Sequence, residues 1–417
     1  RGLPSEAVYG PSSAFYYLFA AIVFLIPTAM IAAELAAMFS DKQGGVFRWI
    51  GEAFGPRAGF LGIWLQWIES TIWYPTVLTF GAVSFAYIGL NDASDAALAS
   101  NRMFTLLTVL AIYWAATFIA MKGLGWVGKI SRLGGMIGTI IPAGLLIVLG
   151  IIYLLSGGHN YMDMSQSFFP DLTKLDNLVL ASSIFLFYAG MEMMGVHVMD
   201  VNNPSKNYPK AIIIGSLVTV CIFVLGTFAL GFVIPAKEIN LTQSLLIGFD
   251  NYFRHFHISW AGPVIAVALM FGVLASVLTW VAGPSKGIFT VGKAGYLPPF
   301  FQKSNSHGVQ RNILLVQGAV VTLLSLLFVV MPSVQSFYQI LSQLTILLYL
   351  IMYMLMFAAA IALRYKMKDA DRPFRLGKGN GLMWILGGVG FAGSLLAFVL
   401  SFIPPGQIQT GSNAVWY

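Results

Sequence analysis

Apolar runs of about 18 residues or more recur from one end of this chain to the other, and they constrain its fold more than any other feature. At 1.5 Å rise per residue, each can cross the ~30 Å hydrocarbon layer of a bilayer as a helix. Composition agrees. A soluble domain carries roughly 25% charged residues, whereas these 417 residues are 9% charged and 58% hydrophobic. Membrane-spanning strands would alternate in polarity over about ten residues, and these runs do not. The sequence therefore predicts an all-α polytopic membrane protein.

Ten spans are expected, at 12–38, 58–88, 103–121, 133–155, 177–199, 210–234, 260–283, 313–331, 335–363 and 381–403. The opening stretch Arg1–Gly10 reads as the end of one more helix. With neither an initial methionine nor a signal-peptide pattern, and with its last run closing shortly before its end, the chain reads as truncated at both ends. Alternate loops differ sharply in charge: eighteen Lys and Arg on one side, and only Arg102, Lys174, Lys237 and Arg254 on the other. The basic side is expected to be cytoplasmic, which also sets the start of the intact chain in the cytoplasm. Because the net charge of +7 is spread over these short loops, no nucleic-acid-binding face is expected. External stretches 159–176 and 240–258 read as interfacial. The single cysteine, Cys221, excludes an internal disulfide.

The acids inside the spans are Glu34, Glu69 and Glu192. A charge at mid-bilayer costs about 2.5–3.5 kcal/mol on insertion scales, so each should face the protein interior or a hydrated cavity. Glu34 lies near the cytoplasmic end of its span and suits a structural role. Glu69, in "WLQWIESTIWYP", serves either as a pocket wall or as a packed structural acid. Glu192 stands between Gly190 and Gly195 in "LFYAGMEMMGVHVMD". Glycine lowers helix stability by roughly 1 kcal/mol relative to Ala, so this pattern predicts a broken helix whose freed backbone groups bind substrate or ions. Tight helix packing is the alternative reading of the two glycines. Burial disfavours the charged form of Glu192, which suits a group that gains and loses a proton; His197, nearer the cytoplasmic end, is a candidate pH sensor. In "RGLPSEAVYG", Gly2 and Pro4 would interrupt a helix, and Arg1 would need a carboxylate partner, Glu69, Glu192 or the substrate's own. Tyr349 and Tyr353, four apart, share a helix face that either packs or lines a cavity.

Two loop stretches carry further information: "AELAAMFSDKQGGVFRWIGEAFGPRAGFLGIW", and "GPSKGIFTVGKAGYLPPFFQKSNSHGVQRNILLVQ" after the 260–283 span. Both, with "NNPSKNYPKAI", resemble the amino acid–polyamine–organocation (APC) transporter superfamily over nearly the whole chain. The tracts "GVLASVLTWVAGPSKG" and "SFIPPGQIQ" are most similar to bacterial glutamate/γ-aminobutyrate antiporters, although Ser276 stands where that subgroup has an acid. The resemblance implies a leucine-transporter-like fold of two inverted five-helix repeats, with helices 1 and 6 broken at the substrate site. On that map a single transporter domain covers 1–403. Residues 1–155 form the first repeat, lacking the start of helix 1; 156–363 form the second; 381–403 add a helix; and 404–417 are an external tail leading to a missing last helix.

These readings together predict a secondary active transporter in the bacterial inner membrane, exchanging amino acids and amines by alternating access. Substrate is expected against Arg1, Gly2, Leu3 and Pro4, the Tyr188–Gly190 backbone and Glu192. Trp67 and Glu69 would form one wall, with Trp280 and Tyr353 opposite. Arg1 would bind a substrate carboxylate, and Glu192 an amine or a coupling proton. A proton-coupled importer of amino acids or polyamines is the alternative within the fold, and a membrane nutrient sensor the alternative outside it. The expected partners are an amino acid or amine, the lipid bilayer and a coupling proton. The sequence has no nucleophile–base pair near a membrane face, no metal-ligand spacing and no phosphate loop, so neither enzymatic activity nor a cofactor or metal is expected.

Overall fold

The structure is a computed structural model that describes residues 2–41, 44–89, 92–170 and 182–403. Among these residues the fold is helical with no strand. Fourteen helices are labelled here in chain order: α1 Leu3–Ala7, α2 Ser12–Met38, α3 Val46–Phe54, α4 Pro56–Ala86, α5 Asp92–Ala99, α6 Arg102–Ala120, α7 Leu124–Leu155, α8 Ser183–Tyr188, α9 Pro204–Val233, α10 Ser244–His255, α11 Ala261–Val291, α12 Arg311–Ser325, α13 Val334–Lys366 and α14 Gly381–Leu400. A 3-10 segment, Met193–Asp200, follows α8. Eight helices are long and apolar enough to cross a membrane: α2, α6, α7, α9, α11, α12, α13 and α14.

The other two expected spans take different forms. Span 58–88 is α4, whose 31 residues reach about 47 Å at 1.5 Å each. It is the central post of the molecule, packed on α3, α6, α11, α12 and α13. Buried on it are Gln66, Glu69, Ser70, Thr71, Thr76, Thr79 and Ser84. The hydroxyls of Ser70, Thr71, Thr79 and Ser84 donate to carbonyls three or four residues back, which makes them tolerable in an apolar core. Span 177–199 is the broken pair α8 and Met193–Asp200; its first residues lie outside the described ones, as do Arg1 and the tail 404–417.

Prolines set several local features. A π-turn at Ala21–Leu25 precedes Pro27 in α2, and another at Met136–Ile140 precedes Pro142 in α7. A proline has no N–H to give to the turn before it, and a wider turn absorbs the missing bond. Pro4 sits in the first turn of α1, where a proline's missing donor costs nothing. Pro284 lies inside α11, so the helix continues past the expected end at 283 to Val291. Similarly, α7 starts at Leu124 rather than near 133, and α9 at Pro204 rather than 210.

The stretch 45–54, expected as loop, forms α3, an amphipathic helix that buries Val46, Trp49, Ile50 and Ala53 beneath α4 and α13. Segment 240–258 contains α10, whose apolar face of Leu245, Leu246, Phe249, Tyr252 and Phe253 is buried against protein, over α1, α7, α9 and α11. Glu34 is held inside the protein, as a structural role requires. It is 1% exposed and paired with Arg364 at 2.6 Å and Arg372 at 3.4 Å, and it accepts the Leu376 N–H at 2.7 Å. This cluster ties α2 to α13 and to the connection that follows it.

Candidate functional site

The break after α8 is built from one glycine and one carboxylate. Helical geometry ends at Tyr188, Ala189 is extended, and Gly190 has φ +106°, a left-handed conformation that glycine adopts without strain. A Cβ at Gly190 would also lie 2.8 Å from the Trp280 ring. Gly195 does a different job: its φ is ordinary, and its missing side chain leaves room for Trp49 of α3, whose ring would come within 2.7 Å of a Cβ there. The sequence had given both glycines one role, and the structure separates them.

Glu192, fully buried, receives three donors from two other helices. Gln66 Nε2 of α4 donates to Oε1 at 2.8 Å, Tyr349 Oη of α13 donates to Oε1 at 2.5 Å, and Tyr353 Oη donates to Oε2. Tyr353 in turn accepts the Gly190 N–H at 2.7 Å. The freed backbone donor, the phenol and the carboxyl thus form one relay across the break. Among the described residues no basic side chain pairs with Glu192.

Aromatic rings enclose this carboxyl. Trp280 lies edge-on to Tyr349 with centroids 6.3 Å apart and meets Trp73 of α4 at 5.3 Å. Tyr353 meets Phe24 of α2 edge-on at 4.8 Å. Beyond the tryptophans lies a mainly apolar cavity of about 270 Å³ among α1, α4, α7, α9, α10 and α11, with Leu3, Trp73, Phe223 and Ser276 on its walls.

Of the expected site residues, the structure gathers Gly190, Glu192, Trp280 and Tyr353 at the break. Glu69 lies one turn beyond Gln66 on α4, buried, with Oε1 unpartnered. Gly2 packs against the Phe187 ring, and Leu3 against Gly226, so both lie with Pro4 of α1 on the α8 side of the break. The Tyr188 hydroxyl donates to the Tyr17 carbonyl at 3.4 Å. Arg1 lies outside the described residues. Trp67 is not part of Glu69's wall. Two residues apart on a helix do not share a face, and Trp67 belongs to a separate apolar cluster with Ile63, Val196, Ile288 and Ile313; Trp73 takes its place beside Trp280. His197 is also apart from the break. Its Nδ1 stands 3.1 Å from Asp200 Oδ2 and 3.3 Å from Lys286 Nζ, and Lys286 bonds Asp200 at 2.8 Å, so the three join the 3-10 segment to α11.

Sequence reasoning missed Gln66 and Trp73, and flagged Tyr349 without assigning it to the site. The available signal was spacing: Gln66, Glu69 and Trp73 recur at the three- and four-residue steps of one helix face. It also missed the buried acids Glu6 of α1 and Asp95 of α5.

Comparison with known proteins gives this geometry a context. A family model described as "Amino acid permease" matches residues 4–417. An uncharacterized transporter of Legionella pneumophila is 37% identical, over 98% of this chain and 87% of its own length. A glutamate/gamma-aminobutyrate antiporter of Lactococcus lactis is 32% identical, over 94% of this chain and 78% of its own. The crystal structure of MhsT in complex with L-phenylalanine superposes with a TM-score of 0.68 at 16% identity, covering 95% of this chain and 94% of that one; it shows the leucine-transporter-like fold.

Proposed function

The chain belongs to the amino acid permease family and is a multi-pass amino acid transporter, and on that premise we propose that it exchanges amino acids for amines across the bacterial inner membrane by alternating access. The observation that carries the proposal is the break at Ala189–Glu192, where a carboxyl with no basic partner among the described residues meets a left-handed glycine and two phenols. A substrate ammonium is the missing cation of that arrangement. It would take the place of one or more of the present donors on Glu192, while the half-helix ends supply backbone groups to a substrate carboxylate. Trp280, Trp73 and the phenols enclose it, and the apolar cavity beyond accepts its side chain. Division of the domain into repeats 1–155 and 156–363 belongs to the same proposal, as does a cytoplasmic face marked by the eighteen basic loop residues.

The test is counterflow in proteoliposomes. Loaded with γ-aminobutyrate, the wild type should take up glutamate, and vesicles without internal ligand should not. Glu192→Gln keeps the shape and removes the charge, and should abolish exchange; undiminished exchange with unchanged pH dependence would remove Glu192 from the site. The unpaired carboxyl also favours a second reading, a proton-coupled importer. Uptake into empty vesicles driven by a proton gradient alone would select it.

A further inference from the structure

Glu6 has no role in the exchange site, yet it is as deeply buried as Glu192. It projects from α1 at the outer side of the break. Oε1 accepts the Ser183 hydroxyl of α8 at 3.1 Å, and Oε2 has no partner. The surrounding polar groups are hydroxyls. On α1 itself, Ser5 is bonded to the Gly2 carbonyl at 2.7 Å. From α2 comes Tyr17, which shares a hydrogen bond of 3.0 Å with Thr227 of α9. From α8 comes Tyr188, bonded to the Tyr17 carbonyl.

Among the described residues no cation offsets a charge at this position. The basic residues of α9, Lys206 and Lys210, are at its opposite end; Thr227 lies roughly 25 Å further along the helix, seventeen residues at 1.5 Å each. On α10, which packs on α1, Asp250 and Arg254 pair with each other at 2.7 Å, Tyr252 donates to the Ala229 carbonyl at 2.5 Å, and His255 meets Ser156 at 3.2 Å. A carboxylate taken from water with one hydroxyl donor and no counter-charge is strongly disfavoured against its neutral acid. The orphaned Oε2 is where the acid's proton would sit. Glu192 differs in its partners, since three donors occupy its two oxygens.

We propose that Glu6 is a proton-binding site distinct from Glu192, holding one proton while α1 and α8 are closed and exchanging it with water when they part. The Glu6–Ser183 bond joins the helices on either side of the outer break, so movement of either exposes the carboxyl. The reaction is simple protonation: Oε2 takes a proton from water on one face and returns it on the other. This inference rests on the transport reading for its coupling to substrate, but not for the proton site itself.

Two measurements test it on the full chain. Infrared difference spectra between acid and alkaline buffer should contain a protonated-carboxyl band that is lost in Glu6→Gln and displaced in Glu6→Asp. An identical band in all three proteins overturns the site. Should the Glu6 variants fail to fold, Ser183→Ala removes the hydroxyl donor and should shift the band's titration midpoint; an unmoved midpoint overturns it equally. In proteoliposomes holding a pH-sensitive dye and γ-aminobutyrate, external glutamate should drive proton movement in the wild type. Glu6→Gln should exchange at equal pH and lose that movement. Wild-type exchange without proton movement overturns the coupling, as does proton movement that survives in Glu6→Gln. Absence of exchange in the wild type tells instead against the transport reading, and the infrared result then decides the proton site alone.

Discussion

A single side chain, Glu192, shows how much chemistry one residue can organise when its neighbours are fixed by two other helices. Its donors come from residues 66, 349 and 353, each locked on a long helix. A hydrogen bond to a charged group contributes about 1.5–3 kcal/mol, so Tyr353→Phe should weaken substrate binding roughly ten- to hundredfold. Half-saturation in counterflow measures it, and a change below twofold would tell against the relay. Gly190→Ala meets two penalties, a left-handed φ and the Trp280 ring. It should lower transport more than Gly195→Ala lowers it relative to protein stability, because the latter clashes with Trp49 in the packing of α3. Parallel transport and thermal-melting assays on the two variants separate those effects.

At the scale of elements, the break is held by what packs on it rather than by its own sequence. On the inner side, α3 supports the 3-10 segment through Trp49 and Gly195, and Lys286 ties the same segment to α11 through Asp200. Burial pushes the Asp200 carboxyl up, but hydrogen bonds from Lys286 and His197 and the lysine's charge outweigh it and hold the carboxyl below its ordinary value. A group depressed in this way stabilises the fold above its ordinary range and loses that contribution as pH falls through the folded value. The tie should therefore hold from neutral pH down through the ordinary aspartate range and loosen only in stronger acid. Asp200→Asn should loosen it at every pH. Amide exchange of residues 193–200 reads both results, and equal protection in the variant would refute the tie. On α2 and α13 the buried Glu34–Arg364 pair is structural; Arg364→Ala leaves Glu34 only the more distant Arg372 as counter-charge and should cost up to about 3 kcal/mol, seen as a lower melting temperature with the substrate specificity unchanged.

For the whole molecule, the orientation is the property that charge alone sets. Cys221 is exposed and is the sole cysteine, so a Cys221→Ser background gives a clean labelling experiment. In intact cells, Lys237→Cys should react with an impermeant thiol reagent from outside, and Lys303→Cys only after the membrane is opened. The reverse pattern would invert the molecule. The curved shell of apolar helices around a polar post, α4, is likewise a whole-molecule property: lipid replaces water outside, so polar groups collect inside, where they find partners.

Long apolar runs, the asymmetry of Lys and Arg, and the glycine-flanked acid were legible in the sequence because each depends on local composition. They determined the helical membrane class and the existence of a break near Glu192. Helix ends were legible only partly, since Pro4, Pro209 and Pro284 sit within helices where their neighbours tolerate the lost donor. The tertiary structure alone decided which residues share the break. Gln66 and Tyr349 reach Glu192, and Trp280 reaches Gly190, from positions more than eighty residues away in the chain, and Trp67, two residues from Glu69, turns to another cluster. Contacts between helices depend on rotation about each axis, and hydropathy in a uniformly apolar run carries almost no record of that angle.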